Sequence, residues 1–484
     1  METIAMPAIN LAVIMPEILL SCIAMVLLLV NVFVPGNNKA YLGYLSIIGL
    51  AVTAASVVGG WGPSVSAFNG SVVQDNFATF FKVIFLVSAG LAILIADRYM
   101  AQEECNQGEL YPLILFSTVG MMLMAAGTDL MVIFLGLELL SICLYVLAGF
   151  NRNRLQSNEA GLKYFLLGSF STGFLLYGMA LTYGATGSTK IHAISAFVMG
   201  NPGVANNTFF VVGMLLMATG FAFKIAAAPF HMWTPDVYEG APTPITAFMS
   251  AGPKAAGFAA FIRVMIFAFP MLRVEWGNLL WVLAVLTMTV GNIIALSQDN
   301  VKRMLAYSSI AHAGYALVGF AAVNAEGAAG ILFYMLSYAF MNIGAFGVLV
   351  LITKKGESNG NVQDLAGFGH KKPLLALVLS IFLFSLAGMP PTAGFIGKFY
   401  LFSAAIKAGY IWLAVIGVLN SAASLYYYLR VMVFMYMKDP SEDFEWAGAT
   451  PAVAVCLLVA VGATLVLGMV PGTVLELAQK AVQF

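Results

Sequence analysis

Apolar runs of roughly 17–25 residues, each long enough to cross a bilayer as one helix, recur along the whole chain. They fall at about 9–34, 41–60, 77–96, 110–127, 130–150, 160–184, 207–228, 243–269, 277–297, 303–322, 327–352, 373–407, 410–437 and 450–470. The pattern predicts an all-α polytopic membrane protein of about fourteen transmembrane helices with short polar connections. The longest polar stretches, Thr353–Lys372 and Lys438–Trp446, are too small to fold alone. No separate soluble catalytic domain is expected.

Two runs depart from a plain span. The run 373–407 is too long for one crossing and holds Gly388-Met389-Pro390-Pro391 in its middle, where two prolines remove backbone donors and stop the helix. The seventh run ends in AAAPFHMWTPDVYEGAPTP, whose Pro229, Pro235, Pro242 and Pro244 permit at most a short helical piece. Both predict half-helices, and the broken spans count as the seventh and the twelfth. Five spans separate them, so units of five spans lie in opposite orientations, an inverted-repeat architecture. The chain then reads as a single integral membrane domain with N-terminal helices at 9–109, repeat one at 110–270, repeat two at 277–437 and a C-terminal helix at 450–484.

Composition agrees with this reading. Hydrophobic residues make up 61% and charged residues 9% of 484 positions, against about 25% charged in an ordinary soluble domain. The net charge of zero gives no argument for nucleic acid. Cys22, Cys105, Cys143 and Cys456 are far apart with no CxxC pair, and the four histidines show no metal-ligand spacing, so zinc, haem and iron–sulfur sites are not expected here. Leu19-Leu20-Ser21-Cys22 faintly resembles a lipoprotein cleavage site, but no basic residue precedes it, which favours a first span over a cleaved signal.

Basic residues outside the spans predict orientation. With the N-terminus outside, the inner connections hold Lys39, Arg98, Arg152, Arg154, Lys302, Arg303, Lys354, Lys355, Lys371, Lys372, Arg430 and Lys438. The outer ones hold Lys82, Lys190, Arg263, Arg273, Lys407 and Lys480. The asymmetry predicts both termini outside.

Against this apolar background four ionisable residues sit deep in spans: Glu138, Lys224, Lys254 and Lys398. A charge at the bilayer centre costs at least about 2.5–3.5 kcal/mol, so its default reading is a functional site facing a bundle interior. The competing reading is a snorkelling or structurally paired charge. Glu17, near a span start, fits that alternative, as do Lys302 and Arg303, at a helix start where solvated charge is ordinary. Lys254 does not, because apolar residues extend about ten positions on either side. A carboxylate such as Glu138 near Lys224 makes a tunable proton site, since burial and a neighbouring charge move a lysine's proton affinity in opposite directions. Lys254 is then the next station and Lys398 the last, in the outer half. His231 and His312 suit proton relay, His312 by bridging the central lysines through Ser308, Ser309 or water. Against that, His231 can equally cap carbonyls freed by the break, and His312 can be a packing group held by Tyr307 and Tyr315. Lys163 is four residues after Glu159, where a local ion pair is the plain reading.

The segments LGLELLSICLYVLAGF, GLKYFLLGSFSTGFLLYGMALTYGATGS, FKIAAAPFHMWTPDVYEGAPTPITAFMSAGPKAAG, NVKRMLAYSSIAHAGYALVGF and SLAGMPPTAGFIGKFYLF closely resemble the antiporter-like subunits of respiratory complex I. The resemblance covers nearly the whole chain, and PFHxWxPDVYxGAPTP is its most specific block. It implies a fourteen-helix subunit with two inverted five-helix repeats that translocates protons within a redox-driven complex of a bacterial inner membrane. Carried over by motif, it implies Glu138 on the fifth helix, Lys224 on the broken seventh, Lys254 on the eighth and Lys398 on the broken twelfth, linked by His231 and His312. It implies no cofactor on this chain, with NADH, FMN, iron–sulfur clusters and quinone in partner subunits. Its expected partners are neighbouring antiporter-like membrane subunits, the peripheral redox arm indirectly, and the lipid bilayer. Lysine at 398, where one sibling subunit typically has glutamate, and a short tail, where another continues into a long lateral helix, separate this chain from those siblings.

Two other readings compete. An Mrp-type cation/proton antiporter would share this architecture and use the same lysines. A membrane scaffold would treat the buried charges as relics, which their cost opposes.

Overall fold

A computed structural model describes residues 10–34, 39–105, 107–353, 355–357, 360–439 and 448–483. Among them the chain is almost wholly helical. The first third forms α1 (Met15–Phe33), α2 (Ala40–Gly59), α3 (Asn76–Gln102), α4 (Leu110–Ala126), α5 (Leu130–Ala148) and α6 (Leu155–Thr186). The middle forms α7 (Ile191–Gly200), α8 (Thr208–Lys224), α9 (Trp233–Gly240), α10 (Thr243–Ala268), α11 (Arg273–Leu296), α12 (Val301–Ala321) and α13 (Ala325–Ile352). The remainder forms α14 (Phe368–Lys371), α15 (Pro373–Ala387), α16 (Ala393–Lys407), α17 (Ile411–Met437), α18 (Pro451–Met469) and α19 (Gly472–Ala481). Eleven helical stretches among the described residues are long and apolar enough to cross a membrane.

Every predicted run coincides with a helix or, at the two proline breaks, with a pair. Several elements fell outside the predicted runs. A short antiparallel hairpin joins β1 (Val65–Ala67) to β2 (Val72–Gln74), α7 follows α6 within the connection, and Pro471 separates α19 from α18. Helix starts are fixed by short polar side chains that satisfy orphan amides. Asp75 accepts from Ala78 N at 2.7 Å, Asn300 from Arg303 N at 2.9 Å and Asn324 from Gly327 N at 2.7 Å.

Burial sorts the helices into layers. α10, α12 and α13 are enclosed on nearly every face, whereas α1, α2, α6 and α17 keep wide apolar faces outward, as lipid-facing helices do. Close backbone approach holds neighbours together where hydrophobicity cannot drive association. A Cβ on Gly120 would lie 2.6 Å from Gly136 O across the α4–α5 contact, and one on Gly178 would lie 2.6 Å from Gly213 O across α6–α8.

The breaks are satisfied locally. At the first, Trp233 Nε1 donates to Phe223 O at 3.1 Å and Thr287 Oγ1 accepts from Ala228 N at 2.9 Å. At the second, Gly388 takes φ +87°, and the amides of Gly388 and Met389 both return to Phe384 O at 3.0 Å, a turn that glycine makes without a Cβ penalty. Pro253, by contrast, lies inside a continuous α10. It lacks the N–H that would bond Met249 O, and the Tyr238 hydroxyl donates to that carbonyl instead, at 3.2 Å.

Of the two plain readings of Glu17, snorkelling or pairing, the structure shows the second: it forms a 2.6 Å ion pair with Lys82, with side chains 4% and 3% exposed. Other sequence expectations need correction. Lys82 and Arg263, counted above among outer connections, sit inside α3 and α10. Lys302 is buried rather than solvated. The connection after α13, expected to be too small to fold alone, is seated on the start of α12: Val301 N donates to Gly360 O and Val362 N to Asp299 O, both at 2.8 Å.

Candidate functional site

The three lysines at span depth are all buried, Lys224 6%, Lys254 2% and Lys398 4% exposed. Each closes onto a serine of a neighbouring helix. Lys224, the last residue of α8, donates to Ser141 Oγ of α5 at 2.8 Å, and its ammonium lies 5.6 Å from the centroid of the Tyr164 ring. Lys254 of α10 donates to Ser309 O of α12 at 2.6 Å and to Ser309 Oγ. Lys398 of α16 donates to Ser421 Oγ of α17 at 2.9 Å, and to Leu386 O and Ala387 O at 3.0 Å each. Those two carbonyls end α15, so the ammonium caps the negative end of the preceding half-helix.

Glu138 is not in direct contact with Lys224. Ser141, one turn further along α5, stands as the hydrogen-bond partner, while Glu138 lies within coulombic reach and its Oε1 is buried without a hydrogen-bond partner among the described residues. The pair is therefore close and open. A cavity of about 10 Å³ lined by Leu137, Ser141, Tyr145, Ser171 and Lys224 adjoins it, about the volume one water needs.

α12 connects the other two lysines. Ser309 receives Lys254, His312 follows one turn on, and the ring of Tyr315, a further turn along, lies 4.6 Å from Lys398 Nζ. His312 is held at both nitrogens: Nδ1 is 2.5 Å from Tyr334 Oη and Nε2 3.1 Å from Tyr428 Oη, which in turn meets Ser308 Oγ at 2.5 Å. Tyr307 plays no part in that and stacks under Arg303 instead. Asn292 joins the network, donating to Tyr315 Oη at 3.0 Å and accepting from Tyr427 Oη at 2.9 Å.

His231 stands apart from this line. Its ring lies against the Pro229 carbonyl, with Nδ1 buried and lacking a hydrogen-bond partner among the described residues. Trp233 caps the end of α8, while His231 lies on a carbonyl within the break itself. Lys163 pairs with Glu159 at 2.7 Å, as the i,i+4 spacing predicts, and equally with Asp236 of α9 at 2.7 Å. Asp236 continues to Arg303 at 3.0 Å and Arg303 to Glu239 at 2.5 Å, so ion pairs tie the broken segment to α6 and α12. In the loop after α13, Glu357 meets Arg154 at 2.7 Å, Lys302 at 2.8 Å and Thr243 Oγ1 at 2.6 Å. Burial alone would raise the Glu357 carboxyl, but Lys302 and Arg154 pull it down to about 2.

Sequence reasoning singled out Ser308, Ser309 and Tyr315 beside His312 but missed Ser141, Ser421, the Tyr334 and Tyr428 hydroxyls on His312 and the Asp236/Glu239 carboxylates. A serine in an apolar run gives no signal of its own. The two carboxylates were visible in PDVYEG but lay in a connection, where charge is ordinary. No cluster of metal-ligating side chains occurs among the described residues.

Residues 127–424 match the family model described as NADH:quinone oxidoreductase/Mrp antiporter, TM. The chain is 68% identical to the NADH-quinone oxidoreductase subunit N of Trichlorobacter lovleyi, over 98% of this chain and 97% of that protein. Its structure is similar to a chain of respiratory complex I from Thermus thermophilus with bound aureothin, at a TM-score of 0.82 and 35% identity, covering 95% of this chain and 98% of that one. It also shares its fold with a chain of the Mrp complex from Dietzia, at a TM-score of 0.82 and 21% identity, over 98% and 97% of the two chains.

Proposed function

The chain belongs to the NADH:quinone oxidoreductase/Mrp antiporter membrane family, and from that premise we propose how its buried charges serve as a proton path. It is an antiporter-like, proton-translocating membrane subunit of the N type in an NADH–quinone oxidoreductase, assembled with other membrane subunits. Electron transfer through FMN, iron–sulfur clusters and quinone takes place in partner subunits, and this chain binds none of them. Its fold is organised as fourteen spans, with inverted repeats at 110–270 and 277–437, in a bacterial inner membrane with both termini outside. The matching breaks at 225–232 and 388–392 support that organisation.

The proton path runs from Glu138 and Lys224 through Lys254 to Lys398. The observation that carries it is the α12 rail, on which Ser309, His312 and Tyr315 at successive turns link the Lys254 ammonium to the Lys398 ammonium. His312, bonded at both nitrogens, is the relay between them. His231 serves the gap between Lys224 and Lys254, supported only by its orphan Nδ1. Lys163 acts through Asp236 on the first break. The antiporter reading shares the fold but not the sequence closeness.

The test is redox-driven proton uptake into vesicles by the assembled complex carrying Lys224→Ala or Glu138→Ala. Proton uptake per NADH oxidised falls in both variants. Unchanged uptake per NADH in both would overturn the assignment.

A further inference from the structure

Resting on the reading of the three lysines as proton carriers, we infer that Ser141, Ser309 and Ser421 are positioning residues that keep a hydrogen bond on each lysine in both of its charge states. The common geometry carries this: each buried ammonium donates to a serine Oγ on a neighbouring helix, α5, α12 and α17 respectively. None of the three lysines forms an ion pair with a carboxylate among the described residues. A carboxylate is an acceptor only, so beside one the lone pair of a lysine that gave up its proton would find no donor. A hydroxyl accepts from an ammonium and, after rotation about its C–O bond, donates to the lone pair of a neutral amine.

The site at Lys398 shows how the count closes. The ammonium has three N–H donors, and three acceptors meet them: Leu386 O, Ala387 O and Ser421 Oγ. Ser421 meanwhile parks its own proton on Ala387 O at 3.2 Å. When one proton leaves, the neutral amine keeps two N–H groups for the two carbonyls, and the Ser421 hydroxyl turns to donate to Nζ. No polar group is orphaned, and the departing proton passes to the next acceptor along the path rather than to the serine. Ser141 is arranged alike, with its hydroxyl on Leu137 O at 2.6 Å while it accepts from Lys224. Ser309 offers both its carbonyl and its hydroxyl to Lys254. An unsatisfied buried donor or acceptor is costly, and this arrangement removes that cost from each transfer.

Other titratable groups surround these sites. Glu138 and Tyr164 face Lys224, and Tyr145 lines the cavity beside it. Tyr238 and Tyr338 approach Ser309. His312 lies within coulombic range of both Lys254 and Lys398, and Tyr315 faces Lys398.

The experiment measures redox-driven proton uptake against pH in vesicles holding the assembled complex, with Ser→Ala and Ser→Thr variants at positions 141, 309 and 421 and Lys224→Ala alongside. Ser→Ala removes only the hydroxyl, and Ser→Thr keeps it. Ser→Ala takes a charge-assisted bond from the ammonium and only a weaker neutral one from the amine, a difference of about ten-fold in proton affinity, so the alkaline limb of the uptake profile in each Ser→Ala variant moves by about one unit toward acid. Ser→Thr restores the limb. If Lys224→Ala loses uptake but the Ser→Ala profiles coincide with wild type, or if Thr fails to restore a moved limb, the inference is overturned and the proton-carrier reading stands. If Lys224→Ala pumps normally, that underlying reading falls instead.

Discussion

The Lys398 ammonium reaches back across the second proline break to Ala387 O at 3.0 Å, so the half-helix after the break is tied to the last turn of the one before it. Gly388 forms the corner beneath this contact, at φ +87°, and a Cβ there would stand 3.0 Å from Lys398 Cδ. Gly388→Ala therefore costs about 1–3 kcal/mol of backbone strain and displaces the ammonium. Proton uptake per NADH falls and the unfolding temperature drops. Gly173→Ala is the control, because Gly173 lies in helical α6 with open space around it; it leaves uptake unchanged and raises stability slightly. Equal effects in both variants would contradict the role given to the corner.

The buried pair Glu17–Lys82 links α1 to α3. Removing one partner leaves an uncompensated charge and costs about 3–5 kcal/mol, whereas replacing both by apolar residues is nearly neutral or stabilising. Glu17→Leu or Lys82→Met alone lowers the amount of assembled complex, and the double variant restores it. A double variant as poor as either single one would count against this pairing.

Glu357 makes a pH-dependent contribution to stability. Its carboxyl titrates at about 2 in the folded chain against an ordinary 4.5. A depressed acid stabilises fully above its unfolded value, and the contribution drains away as pH falls from there through the folded value. Thermal unfolding compared at about pH 7 and about pH 3 shows a larger loss for wild type than for Glu357→Gln, which lacks the contribution at both. Parallel losses would remove Glu357 from the account.

His312 holds the hydroxyls of Tyr334 and Tyr428 together. His312→Phe keeps the ring volume but leaves the Tyr334 hydroxyl without a partner, at about 1–3 kcal/mol, while the Tyr428 hydroxyl keeps Ser308 Oγ. Uptake per NADH falls further than in Tyr334→Phe, which loses one contact. Vesicle measurements on the three forms decide the order.

Hydropathy made the spans and both breaks legible, because membrane length and proline chemistry act on the local sequence alone. Glu138, Lys224, Lys254 and Lys398 were legible for the same reason, as expensive charges in apolar runs. Their partners were not. Ser141 and Ser421 matter only through helix pairing, and Ser309 is one of two adjacent serines with nothing in the sequence to choose between them. Lys302 was misread because a charge at the edge of an apolar run looks solvated until the loop bearing Glu357 is laid over it. Glu17 was read as a snorkelling or paired charge, but its partner Lys82, sixty-five residues away in α3, could not be named from the sequence. Orientation rested partly on Lys82 and Arg263, which prove to be interior side chains paired with Glu17 and Asp75.

Pro253 leaves α10 one internal bond short, and the vacancy at Met249 O is filled by a hydroxyl borrowed from α9, the segment that follows the first break. The backbone four to five residues before Lys254 is thus completed by a side chain that answers to the other lysine's surroundings. Any shift of α9 undoes that bond. A disturbance beginning at Lys224 would reach Lys254 as a loosened turn, with no charge having travelled between them.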